Sequence, residues 1–122
     1  MKVLVVDDSK AVRGIIKKIL KNLGHEVYEA DNGEKALELL DEHNWFDLIL
    51  LDWNMPGMDG YEFLKIVKKN PEWQNIKIMM VTSKNNQESV LEALNAGADE
   101  YLMKPFDQKM LLTKIEMLME DI

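Results

Sequence analysis

The sequence predicts an α/β fold in which five strands alternate with five helices, (βα)5, as a doubly wound sheet. Three observations predict it. Short apolar runs at Lys2–Val6, Leu48–Leu51 and 76–81 lack strict polar alternation, as strands covered on both faces do. Segments of helical period lie between them. Glycines and capping residues sit at the joints. Such alternation implies a mainly parallel sheet, helices on both faces and right-handed crossovers.

The elements follow in order. The first strand, Lys2–Val6, ends at Asp7 and Asp8. Asp8 or Ser9 can cap the next helix, whose apolar stripe is Val12, Ile16, Ile19, Leu20 and Leu23. Gly24 stands where a helix C-terminus favours glycine. Gly14, inside that helix, costs about 1 kcal/mol relative to alanine and reads as a mark of close packing. Glu26–Ala30 is a weaker strand, and Asn32 can cap the second helix. Leu48–Leu51 ends at Asp52. Asp59, with Glu62 three residues on, resembles a capping box opening the third helix. The fourth strand, 76–81, meets Thr82, and Gly97 closes the fourth helix. Glu100–Met103 is a short last strand, followed by Lys104. Leu111, Ile115, Leu118 and Ile122 form the stripe of a final helix expected to reach the last residue. Residues 1–122 are therefore expected to form one domain without a linker.

Composition excludes several classes. There is no cysteine, which removes disulfides, thiolate metal sites and cysteine nucleophiles. A net charge of −7 argues against direct nucleic-acid binding, which needs clustered cations. Lys17, Lys18 and Lys21, like Lys68 and Lys69, read as solvated helix faces. The apolar N-terminal run is too short for a signal peptide or a membrane span, so a cytoplasmic protein without membrane contact is expected. Nine methionines read as flexible core filler. His25 and His43 are expected on the surface, away from the acidic strand ends.

Those strand ends carry the chemistry. In an open α/β sheet, ligands bind beyond the carboxyl ends of the strands. Asp7, Asp8, Asp52, Thr82 and Lys104 all fall there. Each alone has an ordinary explanation as a cap, a turn former or a strand residue. Together they describe a pocket. Crowded carboxylates repel one another and resist ionisation when partly buried. A hard divalent cation resolves that conflict. Mg2+ takes carboxylate, carbonyl, water and phosphate oxygens, and the Asn54 carbonyl is a further candidate ligand. An aspartate can act as a nucleophile and form an acyl phosphate. Lys104 is suited to neutralise one phosphoryl oxygen and the Thr82 hydroxyl to donate to another.

Four segments together resemble the receiver domains of two-component response regulators. They are residues 5–9 (VVDDS), 50–60 (LLDWNMPGMDG), 80–83 (MVTS) and 96–106 (AGADEYLMKPF). The resemblance spans the chain and is greatest to stand-alone CheY-like chemotaxis regulators. It implies the strand order 2-1-3-4-5. It implies that Asp52 takes a phosphoryl group from a histidine kinase or phosphotransfer protein. Mg2+, or Mn2+ in its place, would sit on Asp7, Asp8, Asp52 and the Asn54 carbonyl. Thr82 and Tyr101 would be the switch pair, although an aromatic on an edge strand is otherwise plain packing. Asn54 and Lys84 would flank the phosphoryl group, and the Lys104–Pro105 peptide would be cis. The readout surface would lie within 85–122, with Glu88, Glu92 and Lys109 exposed, and act on a protein target such as a motor switch or a kinase pathway. The chain would assist its own phosphorylation and dephosphorylation without being a classical enzyme. A monomer is expected, with dimerisation on phosphorylation as the variant case.

Three other readings compete. The chain could be a receiver cut from a larger regulator with a DNA-binding or enzymatic output. An aspartate-nucleophile phosphatase would want a second aspartate where Asn54 stands. A flavodoxin-like cofactor binder would not place Asp7 and Asp8 against a flavin phosphate.

Overall fold

A strand that is apolar on both sides needs cover on both sides, and three strands here are built that way. The structure is a computed structural model and describes residues 1–119. The elements run β1 (Lys2–Val6), α1 (Lys10–Asn22), β2 (Glu26–Ala30), α2 (Gly33–Glu42), β3 (Leu48–Leu51), α3 (Gly60–Lys69), β4 (Lys77–Thr82), α4 (Gln87–Asn95), β5 (Glu100–Met103) and α5 (Gln108–Met119). The five strands are all parallel, in the order β2-β1-β3-β4-β5. The predicted (βα)5 doubly wound architecture is the one observed.

Alternate residues of the central strands feed two cores. Leu4, Val6, Ile49, Leu51, Ile78 and Met80 pack with residues of α2, α3 and α4 such as Leu40, Phe63 and Ala93. Val3, Val5, Leu48, Leu50, Met79 and Val81 pack with Ile16 and Leu20 of α1 and with Leu111 and Ile115 of α5. Neither face of β1, β3 or β4 is left to solvent, which is why these strands read as continuous apolar runs.

Local signals place the helix ends. The Ser9 hydroxyl accepts from the Val12 N–H at 3.3 Å, and Asn32 caps α2 through the Lys35 N–H. Asp59 accepts from the Glu62 N–H at 2.8 Å, the N-cap half of the expected box. Gly24 and Gly97, with φ of 86° and 112°, turn the chain out of α1 and α4 in the left-handed region.

Several expectations need correction. Gly14 marks no close packing: a Cβ there would meet nothing within 4 Å. Leu23 is 53% exposed, because α1 has already ended at Asn22 and the chain is turning. β4 begins one residue later than predicted, because the Ile76 N–H closes a 3-10 turn onto the Trp73 carbonyl. The histidines are half-buried rather than plainly at the surface. His25 Nδ1 meets the terminal amine at 3.0 Å, and the His43 ring stacks on Trp45 at 4.6 Å. Lys17 pairs with Glu29 and Lys68 with Asp99, so those basic clusters are only partly free solvated faces. Met79 and Met80 fill the core, but Met103, Met110 and Met117 are exposed. Ile122 and the end of the last helix lie outside the described residues. No helix among the described residues is long and apolar enough to cross a membrane.

Candidate functional site

Strand register brings the acidic residues together. Val6 lies beside Leu51 across the β1–β3 pair, so Asp7 and Asp52 are each the first residue past adjacent, aligned strand ends. Thr82, the last residue of β4, pairs with Met103, and Lys104 follows directly. A parallel sheet sends all of these out of the same edge.

The carboxylates of Asp7, Asp8 and Asp52 each offer an oxygen within 4.8 Å of the others. Asp7 is 2% exposed and Asp52 7%, while Asp8 is open to solvent. Lys104 Nζ bridges the two buried members, at 2.8 Å from Asp7 Oδ2 and 3.4 Å from Asp52 Oδ2. The remaining oxygens are held by main chain: Ser9 N–H donates to Asp7 Oδ1 and Trp53 N–H to Asp52 Oδ1, each at 2.8 Å. Two carboxylates locked by backbone donors are aimed before any ligand arrives.

The electrostatics remain strained. Burial pushes the Asp52 pKa up, and the neighbouring Asp7 charge adds to the rise. The Thr82 hydroxyl, Lys104 and the Trp53 amide pull the other way without cancelling it. Burial opposes the Lys104 charge, but its hydrogen bond to Asp7 and the fields of Asp52 and Asp7 outweigh that, and its pKa is raised. Three carboxylates against one ammonium leave the pocket anionic. An all-oxygen, anionic donor set with one open member suits a hard divalent cation such as Mg2+, and one partner cation already inside does not saturate it.

The structure places the other predicted residues around this centre. Thr82 is fully buried and its Oγ1 accepts from the Lys84 N–H at 3.3 Å. Tyr101 is buried, with its hydroxyl donating to the Lys84 carbonyl. Burial, with the Asp52 charge, raises the Tyr101 pKa. Asn54 is exposed beside the pocket. The Lys84 ammonium lies over the Trp53 ring, 4.7 Å from its centroid. The Lys104–Pro105 peptide bond is cis. Glu88, Glu92 and Lys109 are exposed.

Sequence reasoning missed three contributors. Arg13 donates to the Asp7 carbonyl at 2.7 Å and pairs with Glu29, tying α1 to the end of β1. The Trp53 amide is invisible in any side-chain pattern. Gly60 packs so tightly that a Cβ would lie 2.1 Å from the Asp52 carbonyl oxygen. A glycine directly after the Asp59 cap was the available signal for the last.

The comparisons with known proteins agree with this geometry. Residues 3–116 match the family model described as the response regulator receiver domain. The chain is 40% identical over 123 residues to the chemotaxis protein CheY of Pseudomonas aeruginosa, covering 100% of this chain and 98% of that one. It superposes on a structure of Vibrio cholerae chemotaxis protein CheY4 with a TM-score of 0.91 at 36% identity, covering 97% and 98% of the two chains. It also matches 50% of a probable two-component response regulator/GGDEF domain protein, with a TM-score of 0.92 at 27% identity. The chain belongs to the response regulator receiver family.

Proposed function

We propose that Asp52 is the phosphoacceptor of a two-component switch, and that the chain is a single CheY-like receiver acting in chemotaxis. The supporting observation is that, of the two buried carboxylates Lys104 reaches, Asp52 is the one that also has the Thr82 hydroxyl beside it. One Asp52 carboxylate oxygen forms the new O–P bond while the P–N bond of a phosphohistidine breaks, and the imidazole nitrogen keeps that electron pair. The donor is a histidine kinase or phosphotransfer protein. Lys104 and Thr82 stand where charge on the transferred group needs a cation and a donor. Mg2+, or Mn2+, held by Asp7, Asp8, Asp52 and the Asn54 carbonyl would supply the remaining neutralisation. Asn54 and Lys84 are assigned to flank the phosphoryl group, where water returns the carboxylate and releases inorganic phosphate.

A phosphorylated state must bind the new group better than the resting one, or no equilibrium shifts. Thr82 and Tyr101 are linked through one residue, since both bond to the main chain of Lys84. Movement of the Thr82 hydroxyl towards a phosphoryl oxygen therefore reaches the buried Tyr101 ring and the face formed by α4, β5 and α5. That face is assigned to a protein target, either a motor switch or a kinase pathway, in a cytoplasmic monomer. The second reading is a receiver within a longer regulator. It is favoured by the match to half of a GGDEF-containing chain.

The test is incubation with Mg2+ and a small-molecule phosphodonor, read by mass spectrometry of the intact chain and of its peptides. One phosphoryl group on Asp52, lost in Asp52→Asn and without Mg2+, is the expected result. Stable labelling of Asp52→Asn would overturn the assignment.

A further inference from the structure

Two loops border the acidic pocket, and each carries a residue whose side chain holds neither the cation nor a carboxylate in the chemistry above. Trp53 directly follows Asp52, and Lys84 lies two residues past Thr82. Their side chains meet: the Lys84 ammonium sits 4.7 Å from the Trp53 centroid. The Trp53 ring is in turn stacked on Tyr61 of α3, with centroids 5.4 Å apart and planes 5° from parallel. Lys65, one helical turn on, covers Tyr61 at 4.5 Å. The result is a continuous pile of cation, indole, phenol and cation.

The pile answers an electrostatic question. Lys84 is a cation on a loop beside three carboxylates, of which Lys104 compensates only one charge. An unconstrained ammonium in that position is drawn towards the cluster. Among the described residues, however, Lys84 pairs with no carboxylate, while Lys104 pairs with two. The Trp53 ring is buried, which favours a cation–π contact over one made in open water. Trp53 cannot swing away, because its main chain is fixed to Asp52 and its ring is backed by Tyr61.

We propose that the Trp53–Tyr61 stack parks the Lys84 ammonium outside the acidic pocket and so keeps the pocket's charge available to a divalent cation. Tyr61 is then a positioning residue: it touches neither metal nor phosphoryl group and acts through Trp53 on Lys84. This rests on the reading of Asp7, Asp8 and Asp52 as a cation site. With the stack broken, Lys84 becomes an internal competitor for that site.

The experiment is a cycle read by isothermal titration calorimetry with Mg2+ alone. It compares the native chain, Tyr61→Leu, Tyr61→Phe, Lys84→Gln and the Tyr61→Leu/Lys84→Gln pair. Tyr61→Leu is expected to weaken Mg2+ binding about two- to five-fold, the worth of one cation–π contact at a partly exposed site. Tyr61→Phe keeps the ring and the affinity. In the Lys84→Gln background, Tyr61→Leu changes nothing. An equal loss with and without Lys84 would mean that Tyr61 acts only through the fold, and would overturn the proposal, as would unaltered affinity in Tyr61→Leu. Absence of Mg2+ binding by the native chain would instead defeat the cation site itself, and the parking role with it.

Discussion

The Lys104 ammonium lies 2.8 Å from Asp7 Oδ2, nearer than it comes to Asp52. The cation therefore makes its strongest contact with Asp7 and only partly compensates the proposed nucleophile. Removing it leaves two buried carboxylates facing each other. Lys104→Met is expected to cost about 2 kcal/mol near neutral pH, short of a fully buried pair because the lysine retains some exposure. Urea unfolding measures this. Added Mg2+ should recover part of the loss, since a ligand that binds only the native state stabilises it.

Asp52 carries the opposite expectation. Its pKa is raised in the folded chain, so the native state holds the proton more tightly than the unfolded one. The stability linked to that group is present at low pH and is lost as pH rises from the unfolded value through the folded one. Above that window the charged carboxylate is a liability. Asp52→Asn should therefore raise stability near neutral pH by about 1 kcal/mol, or roughly 4 °C in Tm. The gain should vanish as the pH falls below the unfolded carboxylate range. Thermal melts across pH without metal would show it; a gain that persists in acid would contradict the linkage.

Tyr101 holds the β4–α4 loop through one hydrogen bond to the Lys84 carbonyl. Tyr101→Phe keeps the buried ring and removes only that bond, at a cost of about 1 kcal/mol. Hydrogen exchange should quicken at residues 83–86 and stay unchanged in β1 and β3.

Two glycines should respond in opposite directions to the same change. Gly60→Ala drives a methyl group onto the main chain of Asp52, where backbone cannot yield cheaply. A loss of more than about 3 kcal/mol is expected, or failure to fold. Gly14→Ala meets open space on an exposed helix face and should gain about 1 kcal/mol from helix propensity alone. Chemical denaturation of the two variants separates them.

The alternation of elements, the two-sided strands and the caps at Ser9, Asn32 and Asp59 were legible in the sequence because they depend on neighbours three or four residues away. The candidate site was legible as a set for a related reason. Parallel strands put their C-terminal residues on one edge, so a polar residue ending each apolar run announces its own location. What it could not announce was pairing. Gly14 and Gly60 look alike in the chain, yet one faces solvent and the other presses on Asp52, because that depends on where α3 meets the end of β3. The Arg13 guanidinium acts on a main-chain carbonyl and Trp53 acts through its own amide, and pairings with main chain leave no compositional trace.

The sequence by itself determined which groups would gather: Asp7, Asp8, Asp52, Thr82 and Lys104, at one edge of one sheet. Only the tertiary structure decided how their charges are shared. Lys104 leans on Asp7, backbone amides fix one oxygen each of Asp7 and Asp52, and Lys84 lies against Trp53 away from the carboxylates. Composition counts charges. Distance and burial set their energies, and both are properties of register and packing between segments far apart in the chain.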